Sequence, residues 1–475
     1  MRKLTYLLLA LLSLVACSDD ESFTNSPSAL LTFSVDTVRM DTVFSQVPSA
    51  AKSFWVHNYS GDGLRCTSVR LERGKTSGFR VNVDGVDLSG GTEATDIEVR
   101  RKDSLRVFIE LTSPAQNREE PTLLEDNLVF RLESGVEQKV NLNAYSWDAT
   151  LLRNHHVTGE ETFRGPKPIV VYGGLTVDSA ATLHLAAGTT LYFHNDAALH
   201  VYGRLLAEGT AEENVVLRGD RIDNMFSYLP YDMTPGQWRG VRLYASSTEN
   251  ELTYTDIHSA FDGIVIDSCD ASRAKLRMMA STIHNCQGYG LISHGASVGL
   301  YNSQFTNTLH DCVFIDGGAA VINNCTLAQF YPFDSERGAA LRFGNEHTTL
   351  ATMVVCNSLI TGYADDVLMG EGTDSVNGFS YQFDHCIIRT PKPETADSTW
   401  LTNIVYEDIK DTLTQGYKHF RKIDTDNLRY DFRIDSVSIA IGAADPTTAL
   451  STDRLGVRRD DKPDIGAYEF ITSEE

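Results

Sequence analysis

The chain has 475 residues, a formal net charge of −23, 42% hydrophobic residues and eight cysteines. That much negative charge repels polyphosphate and argues against a nucleic-acid partner. The hydrophobic fraction is too high for a disordered chain, and the length is enough for two or three domains.

Arg2 and Lys3 precede an almost wholly apolar run from Leu4 to Leu14. The run is shorter than the roughly 20 residues of a membrane-spanning helix and has the proportions of a secretory signal. Leu14-Val15-Ala16-Cys17 resembles the lipobox of bacterial lipoproteins. The resemblance implies a signal peptide over 1–16 and acylation of Cys17, which would tie the protein to a membrane. A plain signal peptide with a chance cysteine is the competing reading. Ser18-Asp19-Asp20-Glu21 resembles the acidic signal that sends some lipoproteins to the outer face of the outer membrane, although acidic linkers also serve solubility. Residues 17–28 then carry the lipid-bearing cysteine and a flexible polar tether ending in SFTNSPS.

Residues 29–147 read as short strands with alternating or β-branched residues, among them KSFWVHNY, DSLRVFIELTS and QKVNLNAYSW. This spacing predicts an immunoglobulin-like β-sandwich, with Phe54 and Trp55 packed in it. From 148 to about 430, short apolar pieces divided by Gly and Asp show no helical period. A repeat emerges in YTDIHSAFDGIVID, ASTIHNCQGYGLIS, NSQFTNTLHDCVFID and CNSLITGYADDVLM. Its shared apolar position falls at Ile257, Ile283, Phe305, Leu327, Leu359 and Ile387, at spacings of 22 to 32 residues. Units of strand and turn alone at such a period predict an all-β solenoid, the parallel β-helix. Asn285, Asn302, Asn323, Asn324 and Asn357 suit its corners. Beyond Cys17 there are seven cysteines, an odd number that requires at least one free thiol; six fall in the repeat, where packing is their expected role.

GGLTVDSAATLHLAAGTTLYFHNDAALHVYGRLLAEGT, PGQWRGVRLY and the ending DRLGVRRDDKPDIGAYEF resemble bacterial right-handed parallel β-helix lipoproteins, the ending resembling a choice-of-anchor segment. The resemblance covers roughly 150–475. It implies a surface protein, often with no established reaction, and fold alone does not fix function. Residues 431–475 are expected to cap the solenoid, with Asp464 to Glu469 closing the last coil.

Coil stacking places Asp262, Tyr289, Asp311 and Asp365 on one ladder and Asp267, His294 and Asp316 on another, and it stacks His258 on His284. Asp267, His294 and Asp316 are the candidates for acid–base catalysis, set against an ordinary role as corner residues. The basic partner a lyase needs is not evident; Lys275, Arg273 and Arg277 form the nearby basic cluster. A second candidate is the insertion RIDNMFSYLPYDMTPGQWRG, from Arg221 to Gly240. Its Tyr228, Tyr231, Trp238 and Asp232 are the residue types that stack on sugar rings and accept hydroxyl hydrogen bonds. For Trp238, packing onto the coil beneath is the stronger reading. A loop at 331–338 (YPFDSERG) is expected to flank the same face. No zinc-type Cys/His spacing, phosphate loop or nucleophile elbow appears, and no cofactor is expected beyond calcium if the protein is a lyase. The expectation is a lipid-anchored surface protein that binds polysaccharide or acts in adhesion. A polysaccharide lyase or glycoside hydrolase is the alternative, and a module with a protein partner a third reading.

Overall fold

The computed structural model describes residues 22–226, 228–270, 272–372, 378–393 and 400–472. Cys17 and the signal-like run lie outside the described residues. No helix among the described residues is long and apolar enough to cross a membrane. Contacts divide the chain after Asp148.

In the first unit, strict alternation of apolar and polar residues gives strands with one wet face. One sheet contains Thr32–Phe33, Lys52–His57, Ser104–Leu111, Phe79–Val83 and Val86–Asp87. The other contains Thr37–Arg39, Glu137–Trp147, Thr122–Leu132, Leu64–Leu71 and Ile97–Val99, with Val43–Phe44 also paired to Glu137–Trp147. Their inner faces share a core that includes Phe54, Val56, Val69, Val107, Ile109, Leu128 and Phe130, so the unit is a β-sandwich. Trp55 does not join Phe54 there. Neighbouring strand residues point to opposite faces, and Trp55 is 43% exposed, beside His57 and under the Arg106 guanidinium.

The second unit is a right-handed parallel β-helix, its strands paired in parallel from coil to coil. Three sheets run along it. Sheet A contains Leu199–Val201, Val241–Leu243, Ile264–Ile266, the starts of Leu291–Tyr301 and Val313–Asn323, then Leu341–Gly344 and Leu368–Glu371. Sheet B contains Arg204–Glu208, Asn250–Thr253, Leu276–Met279, the ends of the same two long strands, Leu350–Cys356 and Phe379–Asp384. Sheet C runs from Thr190–Phe193 and Val215–Gly219 through Thr255–His258, Thr282–Cys286, Gln304–Thr308, Thr326–Gln329 and Leu359–Gly362 to Ile387–Ile388.

The interior ladder of sheet C is Leu191, Leu217, Ile257, Ile283, Phe305, Leu327, Ile360 and Ile388. The last two steps differ by one residue from the expected Leu359 and Ile387. Those two point outward into a separate apolar cluster, so both faces of these strands are dry and the pattern does not reveal which faces in. The ladder of acids also changes: Asp262, Tyr289 and Asp311 stack as expected, but the next coil contributes Ala339, and Asp365 is not on the ladder.

From Tyr254 onward, the coils turn between sheets B and C on residues with positive φ: Tyr254, Ala280, Asn302, Asn324, Asn357, His385 and Asn403 lie between 44° and 52°. Asparagine tolerates this left-handed region, which explains its recurrence. Asn285 turns the opposite corner at 52°, whereas Asn323 ends a strand. The seven described cysteines are all free thiols, five of them buried.

The C-terminal segment does not close the last coil. It forms a hairpin, Phe420–Asp424 with Arg429–Ile434, and then runs lengthwise over the outer face of sheet C. Gly466 N donates to Asn357 O at 2.8 Å, Ala467 N to Thr326 Oγ1 at 3.0 Å and Tyr468 Oη to Gln304 Oε1 at 2.6 Å. Arg459, almost fully buried, binds Glu469 Oε2 at 2.8 Å, Gly466 O at 2.8 Å and Asn302 Oδ1 at 3.2 Å. The DRLGVRRDDKPDIGAYEF motif is therefore a strap along the flank of the solenoid.

Candidate functional site

The outer face of sheet A and its corner carry one of the expected groups. Alternation points His200, Arg242, Val265, Ile292, Phe314 and Arg342 outward in one column. At the next corner, Tyr202, Tyr244, Asp267, His294 and Asp316 follow one another on successive coils, so the expected ladder exists and begins with two tyrosines. Tyr202 stacks on Tyr244 at 4.0 Å and 12°. Tyr244 Oη lies 3.0 Å from His200 Nδ1, and the Arg242 guanidinium sits 5.1 Å over its ring.

Further along, Arg242 Nη2 holds Asp267 Oδ1 at 3.0 Å. Asp316 Oδ2 lies 3.3 Å from His294 Nδ1 and 2.6 Å from His347 Nδ1. The Asp316 side chain is 1% exposed, so it orients two solvent-facing imidazoles and does not itself meet a substrate. Asp267 and Asp316 are two ladder steps apart, about 10 Å, with His294 between them. Carboxylate pairs in glycosidases lie about 5–9.5 Å apart with nothing between them but substrate and water. This column therefore lacks the paired-carboxylate spacing of a glycosidase.

The insertion after Gly219 does not reach that ladder. It folds over the outer face of sheet C at the corner leading to sheet A. Trp238 is fully buried, stacked on Phe193 at 4.3 Å and donating Nε1–H to His258 O at 2.9 Å. It is core, and no ligand can stack on it. Tyr231 lies under the Arg221 guanidinium at 3.8 Å. Tyr228 is exposed and stacks on Phe226, at 5.8 Å. Asp232 Oδ1 is 2.8 Å from Arg218 Nη1 and 3.4 Å from His258 Nδ1. Residues 331–338 leave the same corner, with Tyr331 buried.

Beneath the insertion lies a group that alternation alone does not flag. The outward ladder of sheet C reads Arg218, His258, His284, Thr306, Ala328; beside it runs Asp256, Thr282, Gln304, Thr326, Leu359. His258 and His284 stack at 4.8 Å and 5°, as the repeat predicts. His284 Nε2 is 3.2 Å from Asp256 Oδ1. Burial opposes ionisation of Asp256, but the two imidazoles outweigh it and hold the acid well below the usual carboxylate range. Burial, reinforced by His284, pushes His258 down to about 4. Burial opposes charge on His284 as well, yet Asp256 outweighs it and raises that imidazole. Asp256 and His284 open onto a cavity of about 340 Å³, walled by Met233 of the insertion and by Tyr430, Arg433, Leu455 and Tyr468 of the C-terminal segment.

A Ser438–His419–Glu407 arrangement, with contacts of 2.7 and 3.0 Å, has the groups of a hydrolytic triad. All three residues are buried, and Arg389 ties Glu407 at 2.9 Å, so the group latches the start of the strap to the last coils.

No family model matches the chain, and no curated protein matches it. Among solved structures it is similar to pectate lyase Pel9A, with 14% identity over 68% of this chain and 97% of that one and a TM-score of 0.31. It is also similar to the catalytic unit of a thermostable GH87 α-1,3-glucanase from Streptomyces thermodiastaticus, with 10% identity over 74% and 88% and a TM-score of 0.27. A PapD-like domain of human CEP192 matches 26% of this chain and 91% of its own length, at 14% identity and a TM-score of 0.18. Likenesses this distant say nothing of activity.

Proposed function

We propose that this is an exported surface protein that binds an extracellular polysaccharide along the outer face of sheet A without cutting it. The observation that carries this reading is the uncovered column that begins with the stacked Tyr202–Tyr244 pair and continues through Asp267 and His294. Aromatic faces stack on sugar rings, while carboxylates and imidazoles serve their hydroxyls. Coils about 4.8 Å apart present these groups to an extended chain at a regular interval. In this reading, acylation of Cys17 anchors the protein to the outer membrane. That part of the proposal rests on the lipobox resemblance, and Cys17→Ser should release the protein from the membrane fraction.

The test uses the full chain, purified in detergent, with a panel of polysaccharides that includes uronate polymers with added calcium. Size-exclusion chromatography follows both polymer length and co-elution. The expected result is co-elution with unshortened polymer, weakened about tenfold by Tyr244→Ala, which corresponds to about 1.4 kcal/mol. Shortened polymer would instead establish a lyase or glycoside hydrolase. Absence of both would favour a protein partner.

A further inference from the structure

We propose that Asp256, His258 and His284 form a binding site for a late divalent transition metal, Zn²⁺ being the probe of choice, with Asp256 and His284 lining the cavity between sheet C and the C-terminal strap. The site is independent of the polysaccharide face on sheet A.

The fold itself brings the donors together. Asp256 and His258 are two residues apart on one strand and so face outward together. His284 occupies the step next to His258 on the following coil. One donor atom from each of the three lies within 4.8 Å of the others. The 3.2 Å between Asp256 Oδ1 and His284 Nε2 is close to the roughly 3.3–3.6 Å that separates two ligands around one tetrahedral ion at about 2.0–2.2 Å. His258 is already oriented for the task. Its Nδ1 faces Ser259 Oγ at 3.3 Å and Asp232 Oδ1 at 3.4 Å, which leaves Nε2 as the ligand atom. Hydrogen-bonded support of this kind is what metal-binding imidazoles usually have. Asp232 is already occupied by Arg218 at 2.8 Å, so it supports the site from behind and is not counted as a ligand.

A second observation points into the same cavity. Asn307 is 1% exposed and lines it, and its side-chain oxygen has no hydrogen-bond partner among the described residues. The phenolic oxygen of Tyr430, on the opposite wall, is likewise buried without a partner. A buried polar atom left unpaired is destabilising, and a ligand or coordinated water relieves it. Three protein donors leave an ion one open position, on the side facing these groups. Two imidazoles and one carboxylate select zinc-like ions over calcium, which takes six to eight oxygens.

Asp384, His385 and Asp445 also approach one another, and they supply the control. Asp384 is spent on Thr402 and Asn403, and Asp445 on Thr447 and Thr448.

The test takes the full chain without an affinity tag, strips it with chelator and titrates it with Zn²⁺ by calorimetry. Co²⁺ then reports the ligand set by its visible absorption. Expected are one saturable equivalent, no comparable binding of Ca²⁺, and affinity reduced about 100-fold or more in Asp256→Asn and His284→Gln. Asp384→Asn should leave affinity unchanged. Melting curves of the metal-free variants separate lost ligands from lost folding, because only a folded variant that fails to bind supports the assignment. Zn²⁺ binding weaker than about 1 mM, or binding that survives in folded Asp256→Asn and His284→Gln, overturns the proposal. So does a Co²⁺ spectrum that His258→Gln leaves unaltered.

Discussion

Sheets A and C come from the same coils, yet their outer faces meet opposite fates. The outer face of sheet A stays open, with Arg242, Phe314 and Arg342 bordered by the Tyr202–Tyr244–Asp267–His294 column. The outer face of sheet C changes character along the axis. It is charged at Asp256, His258 and His284, neutral and polar at Gln304 and Thr306, and apolar at Ala328, Leu359 and Ile387. The strap covers the apolar end, where Phe420, Phe432, Ile434, Ile465 and Ala467 join the cluster. Toward the charged end its contacts become polar, with buried Arg454 bonded to Thr282 and Asn214, and there the cavity opens. A solenoid supplies several long faces at once, and the side chains on each decide whether it becomes core, cavity or binding surface.

The sharpest way to break this contrast is to cut the strap's buried anchor. Arg459→Ala leaves Glu469 and Asn302 facing an empty position inside the interface. Removing one partner of a buried pair costs about 3–5 kcal/mol. Chemical denaturation of the β-helix unit should show that loss, while polysaccharide binding on sheet A by the folded protein should not change. A cost below about 1 kcal/mol would mean that the strap is held by its apolar contacts alone.

The next effect separates the two sides of one strand. Leu359→Ala and Ile360→Ala should each cost about 2–5 kcal/mol, but by different routes. Leu359 packs under the strap and Ile360 inside the solenoid. Limited proteolysis should therefore cut within 435–472 faster in Leu359→Ala and not in Ile360→Ala. The opposite outcome would restore the register first expected from the sequence.

That register shows how far the sequence can be read. From Ile257 to Leu327 one apolar residue per coil faces a polar neighbour, so period and facing are both visible, and the His258–His284 stack follows from them. At Leu359-Ile360 and Ile387-Ile388 both members of each pair are apolar and both are buried, so the strand is evident but its facing is not. The tyrosines that begin the sheet A column follow short strands, Leu199–Val201 and Val241–Leu243, that carry no Asn or Asp signal. Trp238 sits in an insertion whose aromatics look alike in sequence, and only packing against Phe193 distinguishes it from Tyr228. Asp256 reads as an ordinary solvent-facing acid until the insertion and the strap enclose it. The strap was legible as a motif but not in its placement, because its contacts with Asn302, Thr326 and Asn357 span more than a hundred residues without a pattern of their own.

The smallest effect sharpens the same comparison by titration. Asp464 lies in the strap, accepting hydrogen bonds from Gly442 N at 2.7 Å and Phe470 N at 2.5 Å. Burial outweighs those bonds and raises its carboxyl to about 6, against about 3.9 in an unfolded chain. Between those values the folded protein holds a proton that the unfolded chain has released. Stability contributed by the protonated form is complete below about pH 4 and is lost as pH rises through 6. Asp464→Asn cannot titrate. Its amide keeps one acceptor and loses the other, so its melting temperature should be offset by a roughly constant amount. The decline that wild type shows between pH 4 and 6 should be shallower in the variant. Parallel curves for the two proteins would mean that Asp464 is ionised throughout, and that the strap's two backbone donors, not its burial, govern that carboxylate.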